Sequence, residues 1–520
     1  MRCAHGVRSF ALLAIVALLA TSESANAQLR IATWNVTNYS SGRVAAFQTA
    51  IYDVFDGRSM SPDVIIGQEF LSQAGLNNFL NILNTAPGSP ADWGVAPYID
   101  SNDTDNAFFY RTSKVVFLGV TTVSEGSGPP NHPRDVQRYD VRLVGYDSDG
   151  AVLACYSSHM KAGSTGADQA RRLLEAEAIR ANAEGVDTNG PGTGLPAGWS
   201  FLLGADLNIQ QSTQAAYQEL VASQPNDDGR FFDPINTPGS WNNNSYFRFV
   251  HTQDPTGAGG MDDRHDQILV CAALVDADGF DYIGDPAIAY STTTWDDANH
   301  SYRSWGNDGT SFNTSLTVSG NAMVGEAIAQ ALVDSAPGGG HLPVFLDLRV
   351  PPQIDSDTLI DFGTVAQGSL AEANLTVLNQ ADVALWTLDG IADLVYSMVA
   401  TAGFSAPGGT FADAAGASNE HTITMDTSAV GPLNGTLTIV SNAPDEPLRI
   451  VTLVGEVASS TCFGDLDGDE QVGLPDLAII LANYGTTSAA TYFDGDLDED
   501  SDVDISDLAS LLAIYGTPCP

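Results

Sequence analysis

The chain has little positive charge. Lys and Arg number 20 against 64 Asp and Glu over 520 residues, a formal net charge of -44. Beyond Pro351 the only basic residue is Arg449. An acidic surface repels polyanions at range, and salt screens that repulsion beyond roughly 10 Å. This argues against a high-affinity nucleic-acid binder, but not against a metal-dependent hydrolase that meets a phosphodiester only locally. Cysteine is also scarce, at five residues. No apolar run after Ala20 is long enough to cross a bilayer.

The one strongly apolar run is at the start. Arg2 and Arg8 form a basic lead, Phe10 to Ala20 an apolar stretch, and Ala25-Asn26-Ala27 a small-residue cleavage site. The run is too short for a membrane anchor. Residues 1–27 are therefore expected to be a signal peptide, with the mature protein starting near Gln28 and secreted or held at the cell surface. Cys3 would leave with the signal. Cys462 and Cys519 bracket the C-terminal segment, as a disulfide clasp would in an exported protein. Cys155 and Cys271 lie in apolar strand-like runs, where buried free thiols are expected and a mutual bridge is the alternative.

A chain of this length exceeds one core. Residues 28–350 alternate strand-like and helix-like segments. Apolar runs at Leu29–Val36, Val64–Gln68, Ala107–Tyr110, Val115–Val120, Val152–Ser157, Phe201–Gly204, Gln267–Ala272 and Leu342–Val350 predict strands. Helical spacing over Asp168–Glu184 predicts a helix whose apolar face includes Ala170, Leu173, Leu174 and Ile179. Many strands and few helices imply two packed sheets with helices outside, an α/β domain. After Pro351-Pro352, residues 353–457 show short alternating runs between turns, the pattern of an all-β, immunoglobulin-like sandwich. A spacer or docking role is expected there.

Residues 462–520 contain a repeat. GDLDGDEQVGLPDLAIILANYG, from Gly464, returns as GDLDEDSDVDISDLASLLAIYG, from Gly495. Asp465, Asp467, Asp469 and Asp476 form one set of loop acids; Asp496, Asp498, Asp500, Asp502 and Asp507 form the other. Odd positions on a tight loop aim their oxygens inward, as a Ca²⁺ cage needs. Apolar stripes follow each loop: Leu477, Ile480, Leu481 and Tyr484, then Leu508, Leu511, Leu512 and Tyr515. The segment resembles dockerin modules, small α calcium loop–helix units. That resemblance implies a cohesin-like or cell-surface partner. Glu470 and Ser501 stand where such loops usually carry glycine.

Chemistry gathers in residues 28–350, most of it at or near the ends of the apolar runs. The set is Asn35 (IATWNVTNY), Glu69 (PDVIIGQEF), His159 (VLACYSSHMKAG), Asp206 and Asn208 (FLLGADLNI), Asp266 (RHDQILV) and His341 (GGGHLPVFLDL). A strand that ends in a polar side chain delivers it to a sheet edge, and several can converge there. Carboxylates and amides suit a hard divalent cation; two imidazoles suit proton transfer or phosphate contact. Asp206 and Asn208, two apart, share one side of an extended segment.

The ordered motifs resemble the endonuclease/exonuclease/phosphatase family. The resemblance implies a four-layer α/β sandwich and a Mg²⁺- or Mn²⁺-dependent phosphodiesterase, most of all a nuclease. A phosphomonoesterase, a lipid phosphodiesterase, or a non-catalytic surface protein with a degenerate site are the alternatives. It assigns Glu69 and Asn35 to the metal, Asp206 and Asn208 to the attacking water and phosphoryl oxygens, and His159 and His341 to acid, base or phosphate contact. Asp266 would orient His341, and Asp105 is a weaker candidate to orient His159. Tyr110 and Arg134 are candidate substrate contacts, and Tyr302 and Trp305 could stack on a base or sugar. Where the family usually has an acid before the last histidine, this chain has Gly340. Asp308 and Asp334 are the candidate substitutes.

Overall fold

The computed structural model describes residues 28–257, 259–386, 390–458 and 462–517. The expected signal peptide and Cys519 lie outside the described residues. The first region runs β1 (Leu29–Tyr39), α1 (Val44–Tyr52), β2 (Val64–Phe70), α2 (Gln73–Thr85), β3 (Trp93–Val95), β4 (Asp105–Arg111), β5 (Val115–Ser124), β6 (Val136–Leu143), β7 (Val152–His159), α3 (Gly166–Ala183), β8 (Ser200–Asp206), α4 (Ala215–Val221), β9 (Phe231–Phe232), β10 (Asp266–Cys271), β11 (Asp281–Tyr282), β12 (Arg303–Ser304), α5 (Gly325–Ser335) and β13 (Val344–Arg349).

Two mixed sheets result. One has the order β11-β13-β1-β2-β4-β3, with β12 also on β13; the other has β5-β6-β7-β8-β10-β9. Each holds one parallel pair near its centre, β1 with β2 and β7 with β8, among antiparallel neighbours. Strand alternation sorts the first sheet's side chains. Leu29, Ile31, Val64, Ile66 and Phe108 point to a core shared with Leu153, Cys155, Leu203 and Ile268 of the second sheet. Ala32, Trp34, Ile65 and Phe109 point the other way, onto Phe47 and Ile51 of α1, Phe79 and Leu83 of α2, and Ile328 and Leu332 of α5. The parallel pairs matter for the site, because they bring strand ends carrying Asn35 and Glu69, and His159 and Asp206, to the same edge.

The predicted helix over Asp168–Glu184 forms as α3, capped by Thr165 and Asp168 bonding reciprocally. Its buried face differs from the expected one. Arg172, Glu175, Ala176, Ile179 and Arg180 are buried, whereas Leu174 is 40% exposed. Cys155 and Cys271 are free and buried, so the alternative of a bridge between them is corrected.

The second region adds β14 (Ile354–Ser356), β15 (Leu359–Ala366), β16 (Glu372–Asn379), β17 (Leu394–Ala400), β18 (Phe404–Ser405), β19 (Thr410–Asp413), β20 (Ser418–Met425), β21 (Gly431–Ser441) and β22 (Leu448–Ala458). They pair as β14-β16-β20-β18 and β15-β22-β21-β17-β19, around Leu375, Val377, Ile423, Leu437, Ile439 and Leu453. This β-rich region is seated on the first. Trp386 is buried in the first region's core with the Lys114 ammonium 4.5 Å over its ring, Tyr146 donates to the Pro351 carbonyl at 2.5 Å, and Asn442 donates to Asp278 at 2.8 Å.

Two short helices, α6 (Leu474–Asn483) and α7 (Ile505–Ile514), follow the acidic loops. Of the expected stripes, Ile480 and Leu511 are fully buried, while Leu481, Tyr484, Leu512 and Tyr515 are exposed. Glu470 and Ser501 adopt φ of +64° and +74°. The tight turn usually given to glycine therefore forms here at a few tenths to a few kcal/mol of strain. Cys462 is disulfide-bonded.

Candidate active site

Five acid and imidazole groups form one alternating row at the common edge of the two sheets. Asp266 Oδ2 meets His341 Nδ1 at 2.8 Å. His341 Nε2 and His159 Nε2 both face the same atom, Asp206 Oδ2, at 3.7 and 3.3 Å. His159 Nδ1 in turn lies 3.7 Å from Glu69 Oε1. The row crosses from one sheet to the other and back: β10, the loop before β13, β8, β7, β2.

Local backbone explains why the row can form. Glu69 sits at φ +64°, where the register of β2 with β4 shifts between Gly67 and Phe70. A bulge of this kind re-aims one side chain, here a carboxylate, out of the odd–even pattern. Asn208 is also left-handed, at φ +51°. Its backbone and side-chain amides both donate to Asp206 Oδ1, at 3.1 and 2.9 Å, and its side chain also donates to the Met160 carbonyl. Asn35 bridges the two sheets, its Nδ2 donating to Glu69 Oε1 and Asp206 Oδ2, both at 3.0 Å. Glu69 Oε2 accepts from the Asn38 amide at 2.9 Å.

The two histidines are pushed apart in basicity. Burial opposes a charge on His341, but Asp266 and Asp206 outweigh it and raise the imidazole to about 10. His159 goes the other way. Burial lowers it, Asp206 and Glu69 oppose that, and Arg134 and His341 reinforce it. Burial likewise opposes ionisation of Asp206, yet the facing imidazoles hold its carboxyl below the ordinary range. One imidazole is thus held charged and the other neutral, the separation that acid and base roles require.

Asn35, Glu69, His159, Asp206, Asn208, Asp266 and His341 are therefore brought together. Arg134 is beside them, donating to the His159 carbonyl at 3.3 Å while paired to Asp103 at 3.0 Å. Tyr110 is not. It pairs opposite Val64, at the far end of β2 from Glu69, and its ring stacks on Phe117. Tyr302 and Trp305 are buried rather than free to stack on a ligand. Asp105 accepts from Tyr98 and the Ser101 amide rather than orienting His159.

The Gly340 departure has a structural cause. Its φ is +64°, and a Cβ there would lie 2.5 Å from the Ala336 Cβ. Neither proposed substitute fills in. Asp308 holds Thr310 and the Ala322 amide, and Asp334 accepts from Gln330 on the exposed side of α5. What the site does offer a cation is carboxylate oxygen: Asp206 and Asp266 bring theirs within 4.8 Å of each other around the His341 ring, whose nitrogens they hold protonated. Asp266 Oδ1 is buried with no hydrogen-bond partner. Glu69 adds the carboxylate of the set that reaches solvent, its side chain 15% exposed. Hard oxygen donors of this kind fit Mg²⁺ or Mn²⁺.

Three contributors carry no signal of an apolar strand end. Thr252 donates to Asp266 Oδ2 at 2.6 Å, and Asn38 supplies its amide to Glu69. Arg172, fully buried, donates to the Lys161 and Gly163 carbonyls at 2.5 and 2.8 Å and to Gln214 at 3.1 Å. It ties the loop after His159 to the loop after Asn208.

Glu175, one turn along α3, accepts from Ser158 at 3.0 Å, and burial raises its carboxyl to about 8 from an ordinary 4.5. A folded value above the unfolded one favours folding fully below 4.5 and loses that contribution as pH rises through 8. Glu175→Gln is therefore expected to flatten the pH dependence of stability across that window. Above pH 8 it should stabilise the fold by up to about 5 kcal/mol. Urea unfolding at pH 5 and pH 9 checks this; an equal change at both would refute it.

No family model and no curated protein matches the chain. Among solved structures, it is similar to the human Nocturnin catalytic domain with bound sulfate (11% identity, TM-score 0.34, covering 62% of this chain and 95% of that one). It is also similar to an endonuclease/exonuclease/phosphatase from Beutenbergia cavernae (13%, 0.31, 82% and 99%) and to sphingomyelinase C from Streptomyces griseocarneus (15%, 0.35, 62% and 99%).

Proposed function

We propose that the protein is a secreted, Mg²⁺- or Mn²⁺-dependent phosphoesterase that cleaves phosphodiester bonds, a hydrolase built on a four-layer α/β sandwich. The observation that carries this is Asp206 Oδ2 set between two imidazoles of opposite charge preference. Neutral His159 keeps its ring proton on Nε2, toward Asp206, and takes a proton from the attacking water at Nδ1, which has no other hydrogen-bond partner. Charged His341, held by Asp266, donates hydrogen bonds to the phosphoryl oxygens. Asn208 and Asn35 fix the Asp206 carboxylate between them, and Arg134 adds positive charge at the rim. Glu69 and Asn35, with Asp206 in reach, would hold the cation, which when bound supplies charge neutralisation at the phosphoryl group.

The test is an assay of the mature chain with Mg²⁺, Mn²⁺ or Ca²⁺ on a bis-aryl phosphodiester, DNA, RNA and inositol phosphates, beside His159→Ala and Glu69→Ala. Turnover lost in both variants is expected. No turnover of any substrate would sink the enzyme reading, and turnover surviving both substitutions would sink the site.

For the C-terminal repeats we propose two Ca²⁺ loops and a cohesin-like or cell-surface partner. Asp465, Asp467, Asp469 and Asp476 present carboxylate oxygens within 4.8 Å of one another, as do Asp496, Asp498 and Asp500, and Asp502, Asp504 and Asp507. Such crowding is unfavourable without a cation, so Ca²⁺ should stabilise the module by about 3 kcal/mol per loop at a hundredfold excess over Kd. Calorimetry of the full chain should show its first transition move up with Ca²⁺ and down with chelator. An unmoved transition excludes the loops as Ca²⁺ sites.

A further inference from the structure

The reactive groups are recessed, and the rim above them is acidic on both flanks. His159 is 5% exposed, Asp206 1% and His341 8%. On the β4 side stand Asp100 and Asp103, with Asp105 below them. On the β13 side stand Asp254, whose amide donates to the Gly340 carbonyl, and Asp262 and Asp263. The strand order β13-β1-β2-β4 sets these two groups on opposite sides of the Asn35–Glu69 centre.

The second flank has no cation of its own. None of Asp254, Asp262 and Asp263 pairs with a Lys or Arg among the described residues; Asp263 has only His265, at 3.6 Å, and the Asn242 amide, at 2.8 Å. Burial, Asp263 and Asp254 together raise the Asp262 carboxyl to about 6. The cations nearest the reactive row are already engaged. Arg134 is paired to Asp103, Lys161 lies 3.3 Å from Asp168, Arg172 is buried on backbone carbonyls and Gln214, and Arg43, on the Glu69 side, is held by the Val36, Thr37 and Ser335 carbonyls.

A nucleic acid strand carries a phosphate every ~3.4 Å along the helix axis. Seating an interior bond in the recess would place the flanking phosphates over these carboxylates, with no free cation to meet them. We propose that the centre acts on the lone phosphodiester of a small molecule whose flanking groups are uncharged or cationic, not on an interior bond of a polynucleotide. This rests on the phosphodiesterase reading and narrows it.

The experiment compares kcat/KM for bis(p-nitrophenyl) phosphate, glycerophosphocholine and a 20-nucleotide single strand, at low and high salt. The two small diesters are expected to exceed the strand by about 10- to 100-fold at low salt, with the gap closing as salt screens the rim. In Asp103→Asn/Asp254→Asn/Asp262→Asn the low-salt gap should shrink by about tenfold. A strand cleaved as well as the small diesters, or one whose kcat/KM falls with salt, overturns the proposal while leaving phosphodiester hydrolysis intact. A gap unchanged in the triple variant also overturns it. Failure of all three substrates would remove the phosphodiesterase reading and the proposal with it.

Discussion

Asp206→Ala is expected to lower kcat by about 10³- to 10⁵-fold, with a much smaller change in KM. The residue is the one carboxylate that both imidazoles face and to which Asn35 and Asn208 donate. Without it, both imidazoles lose their shared partner, the Asn208 backbone amide loses its acceptor, and the Asn35 and Asn208 side-chain donors keep only Glu69 and the Met160 carbonyl. His341 would keep Asp266, so its imidazole should still titrate above an ordinary histidine but below about 10. Rates on a bis-aryl phosphodiester, with NMR titration of the His341 ring, check both parts. A variant within tenfold of the parent rate would show that the row is not organised around Asp206.

The second large effect concerns Gly340→Asp, which would restore the acid of the resembled family. The naive outcome is tighter metal binding. The structure gives the opposite expectation. The backbone is left-handed there, and the new Cβ would meet the Ala336 Cβ at 2.5 Å and its Cα at 2.8 Å. Strain and overpacking together should cost about 2–6 kcal/mol. Because Trp34 Nε1 donates to the His341 carbonyl at 3.1 Å, the displaced loop should also disturb β1. A lower denaturant midpoint with reduced activity is expected. Unchanged stability with a gain in Mg²⁺ affinity would mean that the loop accepts the acid.

Much of the site was legible because its residues end apolar strands. Glu69 follows Val64-Ile65-Ile66, His159 ends β7, Asp206 ends β8 and Asp266 opens β10. The pairing of His341 with Asp266 came from the family resemblance rather than from the strand pattern, and it forms. What stayed hidden involves charge that does not face water. Val136–Leu143, VQRYDVRL, does not look like a buried strand, yet Arg138 and Asp140 pair within β6 at 2.9 Å and are both buried. Leu174 is part of the apolar face expected of α3, yet the helix is turned so that Leu174 is exposed and Arg172 and Glu175 are buried beside the site. Tyr110 is a candidate substrate contact by sequence, but sequence says nothing about which end of a strand lies at the site. Thr252 has no pattern at all, since its role depends on a loop folding back to Asp266.

The left-handed Glu69 makes the length of one short segment critical. The bulge at this residue resets the alternation, so that Phe70 joins Phe79 and Phe109 on the helix side although Ile66 and Gln68, of the same parity, face the other sheet. Deleting a single residue between Gly67 and Phe70 would abolish that reset. With Gln68 deleted the strand would alternate regularly: the phenyl ring would keep the helix side, and the carboxylate would fall into the place of Gln68, between the sheets beside Thr33 and the Gly204 carbonyl, instead of at the edge. Point substitutions nearby can be absorbed by neighbouring side chains, but a change of count cannot. The spacing VIIGQEF is thus as much a part of the catalytic apparatus as the glutamate it carries.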